Sequence, residues 1–255
     1  MAQDKSDKQL IVLKVGTSTL TRETNQISRG KLEDIGRQIL QLKDRYDFIL
    51  VCSGAIAVAK QFVSLDGGQQ IDVKQALAAI GQPHLMRIIQ ESFRELNLLT
   101  AQCLLSYMDF ENGETRDNII NTMRVLLNNG YIPVVNENDT VSTAEIQFGD
   151  NDKLAALTAS LIQADLLVLA TNTYGIYDSD GATVELIDDV DAAKNHVIKE
   201  AKSAHGTGGM SSKLAAAQIA QEAGIETWLV NGKDEHFLLD ALTSKVKLTK
   251  IRAAT

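Results

Sequence analysis

Two lysines, a cluster of acids and a glycine-rich turn are the residues of this chain best suited to chemistry. Lys14 interrupts the apolar run "LIVLKVG" (10–16), and Lys213 follows Gly206, Gly208 and Gly209 in "HGTGGMSSKLAAAQIA" (205–220). Between them, "GDNDKLAALTAS" (149–160) sets Asp150, Asn151 and Asp152 directly before Lys153. Backbone N–H groups of a glycine-rich turn opening a helix can hold phosphate oxygens, with an ammonium alongside. A second lysine, and one carboxylate holding both ammonium groups, would complete a clamp for phosphoryl transfer. Asp152 could be that carboxylate.

Each piece also has a plainer account. Acids suit the amino end of any helix, where N–H groups are unpaired and the partial charge is positive. A glycine-rich loop followed by serines suits an ordinary helix start, and a lysine can leave an edge strand for solvent. Neither standard phosphate motif is met: G-x-x-x-x-G-K-[ST] is absent, and Ser211 stands where the last glycine of a dinucleotide fingerprint belongs.

The elements that would position these residues are legible in the hydrophobic pattern. "LIVLKVG", "FILVCSG", "LTAQCLL", "YIPVVNEND", "DLLVLATN" and "ETWLVNG" read as buried strands bounded by turn residues. Helical spacing lies between several of them, at Leu32, Ile35, Ile39 and Leu42, at Leu77, Ile80, Leu85, Ile88 and Ile89, and at Ile119, Met123, Leu126 and Leu127. Strands alternating with helices predict a three-layer α/β/α sandwich around a mainly parallel sheet. Ligands of such folds bind beyond the carboxyl ends of the strands. Those ends read "KVGTS", "CSGA", "NENDT" and "TNTYG", which together favour a site there.

Composition narrows the classes. A hydrophobic share of 44% with no apolar run near the ~20 residues of a membrane helix argues against insertion, and a net charge of −8 without a basic cluster argues against nucleic acid. The polar start "MAQDKSDKQL" lacks a secretory apolar segment, so a cytoplasmic location is expected. Cys52 and Cys103 lie in apolar segments without metal or redox spacing and read as buried thiols. With two prolines, Pro83 and Pro133, and no Gly/Ser linker, one domain over 1–255 is the simpler expectation.

Taken together, "KVGTSTL", "VCSGAIA", "GQPHLM", "IPVVNENDTVSTAEIQFGDNDKLAALTA", "TNTYGIY" and "GTGGMSSKLAAA" resemble the amino acid kinase family, from near residue 10 to about 232. Within it they are most similar to the members that phosphorylate free L-glutamate. The resemblance implies transfer of a phosphoryl group from ATP, with Mg²⁺, to the γ-carboxylate of L-glutamate in the first step of proline synthesis. It implies Lys14 and Lys213 on the phosphates with Asp152 between them as organiser. Gly16, Thr17, Ser18 and Gly54 would line the phosphate site, and Gly208, Gly209 and Met210 would extend it beside Lys213. Thr171, Asn172 and Tyr177 would face the nucleoside. Ser53, Asn136, Asp139, Asp150 and Asn151 would form the glutamate site, where Asp139 or Asp150 pairs with the α-ammonium. Segment 140–149 would be a mobile substrate loop.

The chain departs from the usual pattern at Asn172, where aspartate is common, at Gly181, where proline is common, and at Cys52, where serine is usual. The resemblance further implies a homo-oligomer, a dimer or tetramer, and inhibition by proline in many members. An additional carboxyl-terminal domain of RNA-modification type, common among relatives, is not expected before Thr255. The competing acceptors are N-acetylglutamate, aspartate, carbamate and UMP. An acylated amine would leave the pocket acids without a cation, and UMP would want more cationic groups than "NEND" and "GDND" offer. A non-catalytic nucleotide sensor would not need both lysines and Asp152. A nicotinamide enzyme is disfavoured by the missing fingerprint after the first strand.

Overall fold

The computed structural model describes residues 8–21, 26–67, 70–142, 151–178, 180–194 and 209–254. The six apolar runs all become strands: β1 (Gln9–Val15), β2 (Tyr46–Cys52), β3 (Leu99–Leu105), β4 (Tyr131–Glu137), β5 (Leu166–Thr171) and β7 (Glu226–Asn231). Two short strands, β6 (Leu186–Ile187) and β8 (Thr249–Ile251), complete an eight-stranded sheet in the order β3-β4-β2-β1-β5-β7-β8-β6. Every pairing is parallel except β7 with β8. β1 is central, flanked by β2 and β5.

The helices are α1 (Thr17–Leu20), α2 (Arg29–Leu42), α3 (Ala55–Ala59), α4 (Ile71–Arg94), α5 (Gly113–Asn128), α6 (Asp152–Ile162), α7 (Val190–Lys194), α8 (Met210–Glu222) and α9 (Phe237–Leu242). α2 illustrates why they form: Ser28 caps its start by accepting from the Lys31 N–H, and Leu32, Ile35, Ile39 and Leu42 make one buried stripe. α4 runs 24 residues straight through Pro83, which removes one backbone donor from its middle.

Alternation along the strands divides the core. Ile11, Leu13 and Val15 of β1 pack with α2, α3, α4 and α9, while Val12 packs on the opposite face with α5, α6 and α8. The period of two therefore sends Lys14, like Val12, to the α6 and α8 face. The predicted three-layer α/β/α sandwich is the observed architecture. Among the described residues, no helix is long and apolar enough to cross a membrane.

Candidate active site

The central position of β1 settles the two accounts of Lys14. It is 3% exposed, so it is not an edge lysine reaching for solvent. A buried ammonium requires a partner, and the face it projects from supplies one. α6 opens with Asp152 and α8 carries Lys213 in its first turn, and both helices lie over that face. Lys14 Nζ sits 2.5 Å from Asp152 Oδ1, and Lys213 Nζ sits 2.9 Å from Oδ2. The Ser212 hydroxyl also donates to Oδ2, at 3.2 Å.

Asp152 is completely buried. Burial alone would raise its carboxyl, but the ammonium groups of Lys14 and then Lys213 outweigh that and hold it well below the ordinary carboxylate range. It stays ionised at any physiological pH. Position at a helix start contributes, since Asp152 is in the first turn of α6, and its two oxygens also meet the ammonium groups and the Ser212 hydroxyl. The serines do not cap α8 as their sequence suggested. Gly209 occupies the cap, and Ser211 and Ser212 lie inside the helix.

The phosphate-site residues gather at the carboxyl end of β1. Gly16 caps α1, which carries Thr17 and Ser18, and a Cβ on Gly16 would lie 3.3 Å from Lys14 Nζ. Gly54 begins α3 with φ +119°, a conformation that favours glycine. A Cβ there would stand 3.2 Å from Ile27 Cδ1 and 3.8 Å from Thr17 Oγ1, so the starts of α1 and α3 adjoin. Small residues thus line the approach to the ammonium of Lys14.

Beside this lies a buried polar pocket. Asn151 Nδ2 donates to the Cys52 carbonyl at 2.8 Å, to Asn136 Oδ1 at 2.7 Å and to Ser53 Oγ at 3.2 Å. The ends of β2 and β4 are thereby tied to the start of α6. Asp139, just beyond β4, is 6% exposed, and its Oδ1 has no hydrogen-bond partner among the described residues. Burial, and then the charge of Glu137, push its carboxyl up to about 7. A buried carboxyl lacking a donor is a ready site for a ligand cation.

The remaining residues are placed less tightly. Thr171 ends β5, whose Ala170 pairs with Val15, so it stands beside the β1 end. Asn172 follows, with a buried Oδ1 lacking a partner among the described residues. Tyr177 is engaged within its own loop, where its hydroxyl accepts from the Tyr174 N–H at 3.2 Å. Gly209 and Met210 open α8 above Lys213. Asp150 and Gly208 lie outside the described residues, as does most of the 140–149 loop. Cys52 is buried and Cys103 partly so.

Sequence reasoning did not single out Gln75, Gln82, Glu137 or Ser212. Gln82 Oε1 accepts from Asn136 Nδ2 at 2.7 Å, and Gln75 Nε2 donates to the Asp139 carbonyl at 2.8 Å. Ser142 donates its hydroxyl to Glu137. Gln82, Glu137 and Ser212 lie within "GQPHLM", "NEND" and "GTGGMSSK" without a role read for them, and Gln75 and Gln82 fall two turns apart on one face of α4.

The chain is similar to known proteins over most of its length. The sequence profile of the amino acid kinase family matches residues 9–231. A glutamate 5-kinase of Alkaliphilus metalliredigens is 39% identical over 258 residues, covering 98% of this chain and 97% of that protein. One of Clostridium perfringens is 38% identical, covering 96% of each. One of Caldanaerobacter subterraneus is 40% identical over 89% of this chain, which spans 63% of that longer protein. Among solved structures, carbamate kinase from Giardia lamblia bound to AMP-PNP superposes with a TM-score of 0.67 at 16% identity, over 98% of this chain and all of that one. UMP kinase from Ureaplasma parvum gives 0.65 at 18% identity, over 96% of this chain and all of that one. Those likenesses carry the fold alone. With the profile spanning β1 to β7 and near-full-length relatives, the chain belongs to the amino acid kinase family.

Proposed function

We propose that the chain phosphorylates the γ-carboxylate of L-glutamate at the expense of ATP, as a glutamate 5-kinase, giving L-glutamyl 5-phosphate in the first step of proline synthesis. The observation that carries this reading is the Lys14–Asp152–Lys213 triad beside the pocket of Ser53, Asn136, Asp139 and Asn151. Relatives named glutamate 5-kinase support the choice of acceptor.

The residues fit a bound triphosphate: two ammonium groups, the small residues Gly16 and Gly54, and the glycine-capped start of α8. ATP, when bound, supplies the phosphoryl group that passes to a γ-carboxylate oxygen as ADP leaves. The acceptor needs no general base, because a glutamate γ-carboxyl, with an unperturbed pKa of about 4.3, is already ionised. What the chain contributes is alignment and charge. Lys14 and Lys213 neutralise phosphoryl oxygens from positions that Asp152 fixes in advance. Asp139 pairs with the α-ammonium, Ser53 donates to the α-carboxylate, and Asn136 and Asn151 hold the pocket's shape. Asp150 shares the amino-acid site, and Thr171, Asn172 and Tyr177 flank the nucleoside. Mg²⁺, when bound with ATP, would supply further neutralisation of phosphate charge.

Purified protein incubated with ATP, Mg²⁺ and hydroxylamine tests this across L-glutamate, N-acetylglutamate, aspartate, carbamate and UMP. Hydroxamate formed with L-glutamate is the expected result; product with another acceptor only would move the assignment within the family. ATP binding without turnover would favour a sensor. A homo-oligomer of one kinase unit per chain, and inhibition by proline at the glutamate pocket, belong to the same proposal and are read by light scattering and by adding proline to the assay.

A further inference from the structure

The amides around the pocket have a polarity that the backbone dictates. The Glu137 N–H can only donate, and it faces Asn136 Oδ1 at 3.0 Å. The Cys52 carbonyl can only accept, and it faces Asn151 Nδ2 at 2.8 Å. These two anchors fix which end of each amide is oxygen and which is nitrogen. Asn136 must then turn Nδ2 away from Asn151 and toward α4, where Gln82 Oε1 receives it at 2.7 Å. Gln82 Nε2 is left to donate outward, to Gln102 Oε1 at 3.4 Å on β3. At the other end, Ser53 Oγ accepts from Asn151 at 3.2 Å, so its own hydrogen remains available to an acceptor in the pocket.

We infer that Gln82 is a positioning residue for the acceptor pocket: by accepting from Asn136 it locks the one-way amide chain that leaves the Ser53 hydroxyl as a donor toward a substrate carboxylate. The inference rests on the glutamate reading above. Two features hold Gln82 in register. Gly81, its neighbour, lies so close to α3 that a Cβ would come within 1.8 Å of the Ala55 carbonyl oxygen, so α4 is seated hard against the helix that follows Ser53. Two turns earlier, Gln75 donates to the carbonyls of Asp139 at 2.8 Å and Thr140 at 3.4 Å. One face of α4 therefore grips both ends of segment 136–140. Losing the Gln82 acceptor would strand a buried amide N–H, and Asn136 would relieve it by rotating, which opposes like ends of Asn136 and Asn151.

The test compares Gln82→Met, which keeps length and removes both polar atoms, with Gln82→Glu, which keeps the acceptor. Gln82→Met should raise the KM for L-glutamate about tenfold or more, with the KM for ATP and the melting temperature changing far less. Gln82→Glu should restore most of the glutamate affinity. An unchanged glutamate KM in Gln82→Met, an equal rise in both KM values, or no recovery in Gln82→Glu would each overturn the inference. If Gln82→Met does not fold, a tenfold loss of glutamate affinity in Gln82→Glu overturns it as well. Side-chain amide NMR separates this from the choice of substrate. Slow exchange of the Asn136 amide protons should be lost in Gln82→Met and kept in Gln82→Glu even if the wild-type protein turns over no glutamate, and equal protection in all three proteins would dispose of the relay.

Discussion

Lys14 and Lys213 hold opposite oxygens of one carboxylate, at 2.5 and 2.9 Å, from a strand and a helix far apart in the chain. Asp152 therefore keeps two cations at a fixed separation before any phosphate arrives. Their mutual repulsion is offset in the protein, and in the proposed reaction no charge would need reorganising as the phosphoryl group transfers.

Replacing Asp152 with Asn removes the carboxylate that both buried ammonium groups share. Removal of one member of a buried ion pair costs about 3–5 kcal/mol, so the melting temperature should fall by roughly 10 °C, and kcat by at least about a hundredfold. The sign of the pH effect is fixed by the depressed Asp152 carboxyl. Its stabilisation is fully present above the unfolded value of about 3.9 and is lost as pH falls through the lower folded value. Melting curves of wild type and Asp152→Asn should converge at acid pH, and a constant gap down to low pH would contradict the ion-pair account.

Lys213→Ala should lower kcat about a hundredfold or more with little change in the KM for glutamate, because the ammonium acts on the transferring group rather than on the amino acid. Steady-state kinetics in both substrates read this directly. A loss seen mainly in glutamate KM would place Lys213 in the wrong pocket.

Asp139 gives the opposite pH signature. Burial and Glu137 hold its carboxyl up to about 7, so much of it is protonated at neutral pH in the free protein. Pairing with an α-ammonium needs the ionised form, and the KM for glutamate should fall as pH rises through 7. Stability runs the other way: ionising a group whose folded pKa is raised destabilises the fold progressively from the unfolded value up to 7. Asp139→Asn should flatten the KM profile, weaken glutamate binding and match or exceed wild-type stability at pH 8, as measured by initial rates and thermal melts.

Gly81→Ala forces a Cβ into the Ala55 carbonyl at 1.8 Å. Overpacking of this kind costs about 1–3 kcal/mol and pushes α4 away from α3. The expected outcome is a lower melting temperature together with a higher glutamate KM, since α4 carries Gln75 and Gln82. Lost stability with untouched kinetics would show that α4 moves without disturbing the pocket.

The sequence carried the layers, because they follow from repeating physical rules, while Lys14, Asp152 and Lys213 were suggested by residue type and given roles by the resemblance. Six apolar runs marked the six longer strands, but the face taken by Lys14 followed only from the packing of Val12 and Leu13 on opposite sides of the sheet. β6 and β8 escaped notice because two and three residues cannot display a period. The pocket was legible only at its loop ends. Asn136, Asp139 and Asn151 lie in segments whose resemblance named them; Gln82 lies in one too, "GQPHLM", but its amide contact between α4 and β4 is one that no local pattern encodes. The raised carboxyl of Asp139 depends on burial from several elements at once, which single-chain spacing cannot express.

The placement of β1 between β2 and β5 also bears on how the molecule comes together. β2 is available to β1 early, but β5 arrives only after a long excursion: the Leu10 N–H donates to Asp165 at 2.6 Å across 155 positions of chain. Closing so large a loop is entropically slow, and proteins dominated by such distant pairings fold slowly. The triad spans the same closure, joining Lys14 to groups supplied after it. Catalytic competence is therefore among the last properties a refolding chain acquires, and regained turnover reports completion of the central sheet rather than the earlier gain of helix.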